Sequence, residues 1–135
     1  MEKIIFALII LLFGCSESNQ EEDLNIPAEL IGKWKQIEVF STSGGDLGDW
    51  APFDSGRTYD MWFKKDGTWI SSDPTSQCIE GKYVISGDQM TIFHNNSSLC
   101  VQVDPVTIER LTSNELIIDY NFWEPMKSKN LKVIE

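Results

Sequence analysis

Cys78 and Cys100, the two thiols of the folded part, and His94, the one histidine, at a strand end where an imidazole is most often a surface or rim residue, are the residues whose types most often carry nucleophilic or metal chemistry. Their spacing supports neither. One histidine cannot complete a zinc site from two thiols that lie in no ligand spacing with it, and no Ser-His-acid set can be assembled around it. Cys78 and Cys100 are instead expected to pair with each other. If Ser86 opposes Gln89 across the Gly87-Asp88 turn, Cys78 lies opposite a position near Ser97, just short of Cys100. A bridge there closes the open end of a hairpin and stabilises by roughly 3 kcal/mol in the loop-entropy model. Carboxylates are plentiful, yet none stands in a catalytic spacing, and Asp46, Asp49 and Asp54 do not match a calcium loop. No catalytic residue, metal or cofactor is expected, and the chain does not read as an enzyme. The remaining candidates are aromatic. Trp50 and Phe53 sit in a polar, glycine-rich segment, and Tyr59, Phe63, Trp69, Tyr83 and Tyr120 sit in or beside apolar runs. These seven are the expected ligand-binding residues.

The elements that must hold them read as strands. In the stretch Thr58 to Ser72, two apolar runs flank Lys64-Lys65-Asp66-Gly67, and Gly67 supplies the left-handed residue that closes a three-residue hairpin turn. Pairing Lys64 with Thr68 sets Phe63 against Trp69 on one face and Trp62 against Ile70 on the other. With both faces apolar, such a ribbon must lie in a covered or closed wall. Further strands are expected over Trp34 to Phe40, Cys78 to Ser86, Gln89 to His94, Val101 to Leu111 with an interruption at Asp104-Pro105, Leu116 to Trp123, and Asn130 to Ile134. Period-two alternation places Phe63, Trp69, Tyr83, Ile85, Ile92, Tyr120 and Phe122 inward. Ile26 to Ile31 makes one short helical turn, and Ser41 to Arg57 reads as a long loop. Eight sequential strands with hairpin-length turns predict an all-β, eight-stranded antiparallel up-and-down barrel, with a two-sheet sandwich as the competing architecture.

The chain's 135 residues carry a net charge of -10, which argues against nucleic acid and against electrostatic attraction to anionic lipid. Met1-Glu2-Lys3 followed by the apolar run Ile4 to Phe13 has the form of a secretory leader, too short to remain as a membrane span. Its end, Leu12-Phe13-Gly14-Cys15, resembles the lipobox of bacterial lipoproteins. The resemblance implies removal of residues 1–14, a diacylglycerol on the Cys15 thiol and acylation of its amine, so that several chains hold the protein to a bilayer. Residues 15–25 then form a polar, acidic tether. Glu17 and Glu21-Glu22-Asp23 are similar to the acidic tags of lipoproteins carried to the outer membrane. Export also places Cys78 and Cys100 in an oxidising compartment, where pairing is favoured.

The remainder, residues 26–135, is one domain. The succession Leu30-Ile31-Gly32-Lys33-Trp34, Phe63-Lys64-Lys65-Asp66-Gly67-Thr68-Trp69, Gly81-Lys82-Tyr83-Val84-Ile85 and Leu111-Thr112-Ser113-Asn114-Glu115-Leu116 resembles the lipocalin-like domain of small bacterial lipoproteins. Gly32-Lys33-Trp34 also fits the Gly-x-Trp that opens the first lipocalin strand, whose Trp plugs the closed end of the barrel. Lipocalins stack an Arg from the last strand on that Trp; here Lys132 is the nearest cation. The expected activity is non-covalent binding of a small apolar or amphipathic ligand at the barrel mouth, beneath the Ser41 to Arg57 loop. The alternative is a protein-interaction module of the cell envelope, docking through exposed aromatics. So many bulky aromatics favour an interior mostly filled by side chains, with a shallow mouth pocket, over a deep calyx.

Overall fold

The computed structural model describes residues 24–42, 47–95, 100 and 105–134. Its strands are β1 (Gly32–Ser41), β2 (Asp49–Pro52), β3 (Met61–Phe63), β4 (Thr68–Ser71), β5 (Glu80–Ser86), β6 (Gln89–His94), β7 (Val106–Leu111), β8 (Glu115–Asp119) and β9 (Met126–Lys132). All neighbours are antiparallel, and β1 pairs with β9 as well as with β2 and β3, so the sheet closes on itself. Because β2 and β3 occupy successive parts of one edge of β1, nine strands make an eight-membered wall. Closure removes the free edges that an open ribbon with two apolar faces would expose. The chain is an all-β closed barrel, and no α-helix occurs among the described residues.

The hairpins are where local sequence chemistry put them. Phe63 opposes Trp69 and Trp62 opposes Ile70. Gly67 at φ 77° closes the turn, which Lys64 completes by donating its N–H to Thr68 O at 2.8 Å. Ser86 opposes Gln89, which runs the next hairpin in the expected register. Residues 26–31 form a turn held by Leu30 N–H to Pro27 O and Ile31 N–H to Ala28 O.

Besides shifts of one or two residues at strand ends, three differences from the sequence reading stand out. Asp49–Pro52 is a strand inside the expected loop, paired with Ser41 to Glu38 of β1. The expected strand Leu116 to Trp123 stops at Asp119, because Asn121 takes a left-handed φ of 54° and turns the chain away. Phe122 is consequently half exposed and Trp123 is 90% exposed, so Phe122 does not point inward. Finally, β9 begins at Met126, four residues ahead of expectation. Its inward positions are Ser128 and Asn130, buried polar residues that give no hydrophobic alternation to read. Of the expected strand Val101 to Leu111, the part from Val106 is β7, and Val101 to Asp104 lie outside the described residues.

The core is a contiguous cluster of Leu30, Trp34, Phe63, Trp69, Tyr83, Met90, Val106, Leu116 and Ile118. One end of the barrel, the base, carries the 28–30 turn and the β3–β4, β5–β6 and β7–β8 turns. The other end, the rim, carries the longer connections after β1, β4, β6 and β8. Burial is tightest toward the base. Trp34 is fully buried and donates its indole N–H to Leu30 O at 2.8 Å, which seats the turn across the barrel end. Lys132 Nζ lies 5.2 Å from the Trp34 ring centroid and donates to Glu29 O at 2.7 Å. A lysine thus takes the cation–π position over the plugging tryptophan. Gly32 makes room for it: at φ 137° a Cβ there would come 2.8 Å from Lys132 Cε.

Candidate functional site

Polar side chains enter the barrel interior from β9 and from the connections beside β3 and β8. Tyr120, just past β8, shares a hydrogen bond with Ser128 of β9 at 3.2 Å. Asn130, fully buried two residues on, donates from Nδ2 to Leu116 O at 3.1 Å and to Ser128 Oγ at 3.0 Å. Asp60, 6% exposed, accepts from Gln36 N–H at 2.8 Å on one oxygen and from Arg57 Nη2 at 2.8 Å on the other. Arg57 also reaches Asp73 at 3.5 Å, which ties the β2–β3 and β4–β5 connections together. Hydrogen bonding to Asp60 raises the Arg57 pKa above its ordinary value, so this cation stays charged at any accessible pH.

Burial raises the Tyr120 pKa; the Ser128 hydrogen bond works against that rise and the Asp60 carboxylate adds to it. Burial likewise pushes Tyr83 up to about 12, with a smaller contribution from Asp66. Both phenols are neutral hydrogen-bonding groups near neutral pH. Tyr83 spends its proton on Lys64 O at 2.7 Å.

Among the described residues, three buried side-chain atoms have no hydrogen-bond partner in the protein: Trp69 Nε1, His94 Nδ1 and Asn130 Oδ1. They come from β4, β6 and β9, and strand alternation turns all three side chains inward. Leaving one such group unpaired costs about 1–3 kcal/mol. Trp69 and His94 meet edge-on with ring centroids 5.3 Å apart. Trp69 also reaches a half-open hollow of about 270 Å³ on the outside of the β4–β5 wall, where Gly81 has no side chain and Lys64, Thr68, Ile70, Lys82 and Asn95 contribute to the lining.

The seven aromatic candidates divide. Phe63, Trp69 and Tyr83 are core residues, with Phe63 and Tyr83 in edge contact at 5.1 Å. Tyr120 is half-buried against that core, so four of the seven face the interior. Trp50 and Tyr59 do not line the mouth. Trp50 pairs with Phe40 across β1–β2, and both lie on the outer face, where their rings are 5.6 Å apart and Lys129 Nζ sits 5.0 Å from the Trp50 ring. Tyr59 lies beside Lys33, whose Nζ is 5.5 Å from its ring and 5.0 Å from that of outward-facing Trp62. Phe53 is 39% exposed, with its N–H on Ile37 O. The expected lid is therefore partly a wall strand: pairing with β1, not loop composition, decided where Trp50 faces.

Cys78 and Cys100 form the expected disulfide, with a Cα–Cα distance of 5.6 Å. The proximity of His94 to that pair was not legible: the ligand atoms of Cys78, His94 and Cys100 lie within 4.8 Å of one another. Asn130 and Ser128 were also missed, since a polar residue on an inward position looks like a surface residue in one sequence. Cys15 lies outside the described residues.

These features define a lipocalin-like barrel. No family model and no curated protein matches the chain. The fold is similar to that of a solved lipocalin-like protein from Bacteroides uniformis, at 17% identity and a TM-score of 0.51, over 77% of this chain and 98% of that one.

Proposed function

We propose that this barrel binds a small amphipathic ligand non-covalently in its interior. The observation that carries the reading is that Trp69 Nε1, a donor, and Asn130 Oδ1, an acceptor, both turn inward unpaired, while the neutral Tyr120 hydroxyl meets Asn130 through Ser128 Oγ. Buried polar atoms left unmatched by the protein itself are what a ligand with one acceptor and one donor would satisfy. The apolar part of that ligand lies against Trp69, Ile92 and Ile118. A lipocalin-like barrel suits this role, because its wall supplies apolar contact and a few inward polar groups supply orientation. The site lies inside the wall and not beneath Trp50.

Native mass spectrometry of protein purified from its host is expected to show a bound small molecule in the wild type. Trp69→Phe, which keeps most of the ring volume and removes the N–H, should lose it. Saturable fluorescence of anilinonaphthalene sulfonate should weaken by more than about tenfold in the same variant. A wild-type protein that carries nothing and leaves the dye dark would refute the proposal.

A second reading rests on Trp123, 90% exposed, beside half-exposed Phe122 and next to the rim. Large apolar side chains so placed fit a docking surface for another envelope protein. Photo-crosslinking from position 123 in intact cells should capture one dominant protein on that reading and only scattered products otherwise. The leader and Cys15 support export and lipid anchoring at the bacterial outer membrane for either role. Among the described residues no helix is long and apolar enough to cross a membrane.

A further inference from the structure

Cys78, His94 and Cys100 reach one corner of the rim from three places: the β4–β5 connection, the last position of β6, and the connection that follows it. Their sulfur and imidazole ligand atoms lie within 4.8 Å of one another, and the two sulfurs are bonded. Cys100 is 6% exposed. His94 Nδ1 is buried and has no hydrogen-bond partner, while the His94 ring is held edge-on to Trp69. Two sulfurs and an imidazole nitrogen at this separation, on a ring whose Nδ1 is unpaired, are the donor types of a soft divalent metal site, withheld only by the sulfur–sulfur bond.

We propose that reduction of the Cys78–Cys100 disulfide opens a Zn²⁺ site with Cys78 Sγ, Cys100 Sγ and His94 Nδ1 as ligands and water in the fourth position. An external dithiol supplies two electrons and two protons and is itself oxidised to a disulfide; the protein's S–S bond breaks and two thiols form. Zn²⁺ then displaces both thiol protons to solvent as two Zn–S bonds and one Zn–N bond form. A tetrahedral site with Zn–S near 2.3 Å places the sulfurs about 3.8 Å apart, a separation that side-chain rotation supplies on a Cα–Cα distance of 5.6 Å. Three protein ligands with one open position is the ligand count of reactive, not purely structural, zinc. The corner is thus either covalently closed or metal-closed, and the redox state of the compartment selects between them. This inference does not depend on the ligand proposal, which uses Trp69 and Asn130.

The test uses the full chain, oxidised and after phosphine reduction without oxygen, titrated with Co²⁺ as an optical probe and then displaced with Zn²⁺. The reduced chain is expected to bind one Co²⁺ with thiolate-to-cobalt charge-transfer absorbance and tetrahedral visible bands, and the oxidised chain to show neither. His94→Gln should weaken Co²⁺ binding by more than about tenfold, since even outer-shell partners of a ligand contribute that much. Equal binding in both redox states, no charge-transfer absorbance after reduction, or an affinity indifferent to His94→Gln would each overturn the proposal. Because reduction removes the cross-link between the β4–β5 connection and the segment after β6, near-ultraviolet circular dichroism of the tryptophans is followed in the same samples. Metal that restores a lost signal in the wild type but not in His94→Gln supports the site, and metal held by a reduced chain whose lost signal it does not restore overturns it.

Discussion

Gly81 shows how a single hydrogen atom decides a strand crossing. A Cβ built there would lie 1.8 Å from the backbone oxygen of Phe93 and 2.9 Å from Trp69 Nε1. The backbone of β6 cannot yield without parting from β5 just below the disulfide. At Gly67 the nearest atom is Leu24 Cδ1 at 2.9 Å, the free end of a flexible side chain, and the penalty is mainly the left-handed φ of 77°. Gly67→Ala is therefore expected to lower stability by about 1–2 kcal/mol, and Gly81→Ala by more than about 3 kcal/mol; urea midpoints of the two variants give the order. Tyr83 makes a pH prediction. Its folded pKa, pushed up to about 12, exceeds the ordinary value near 10. Between those values the unfolded chain has released the proton and the folded chain keeps it. The unfolded state then binds fewer protons, so stability contributed by this group is whole below about pH 10 and falls as pH rises toward about 12. Denaturant midpoints across that window should fall more steeply in the wild type than in Tyr83→Phe.

Among the elements, β1 has the most demanding position, with β9 on one edge and β3 then β2 on the other. Between those two partners its edge is covered by no strand. Asp60 Oδ2 takes the Gln36 N–H there and Phe53 donates to Ile37 O, while Ile37 also bulges against β9. Asp60→Ala would leave the Gln36 amide and the Arg57 guanidinium without this acceptor, a loss of about 2–3 kcal/mol, readable by urea unfolding. Asp60→Asn, which keeps an acceptor, should lose less. The element scale also explains which strands were readable. Hairpins β3–β4 and β5–β6 are specified by residues next to one another in the chain, with a glycine turn and alternating neighbours. Strand β2 is four residues long and ends in Pro52; its existence depends on the free edge of β1, which no local pattern carries. Strand β9 presents Ser128 and Asn130 to the interior, and only burial distinguishes them from surface residues.

At the scale of the whole molecule, a wall closed by the β1–β9 pairing, with the four-residue β2 paired on one edge only, and a net charge of -10 suit a protein that resists edge-to-edge association, its proposed attachment to a membrane coming from outside its surface. The proposed holder is acylated Cys15. Cys15→Ser is expected to move the protein from the membrane pellet to the soluble fraction of cell extracts, and a variant that still sediments with membranes would remove the anchor from the proposal. The disulfide acts at the same scale, joining the β4–β5 connection to the segment after β6 at the rim.

The amino-acid sequence by itself determined what depends on neighbours in the chain: the strand class, the two tight hairpins with their registers and, through the β5–β6 register, the approach of Cys78 to Cys100, whereas the tryptophan at the base came from a resemblance to the lipocalin Gly-x-Trp. The first three follow from turn stereochemistry and alternation, which act over a few residues. Only the tertiary structure decided which aromatics turn outward with Trp50, which polar atoms are left unpaired inside, and that His94 stands beside the sulfurs. Each of those depends on which strand lies across the barrel, a distance the chain crosses in space and leaves no mark of in its local pattern.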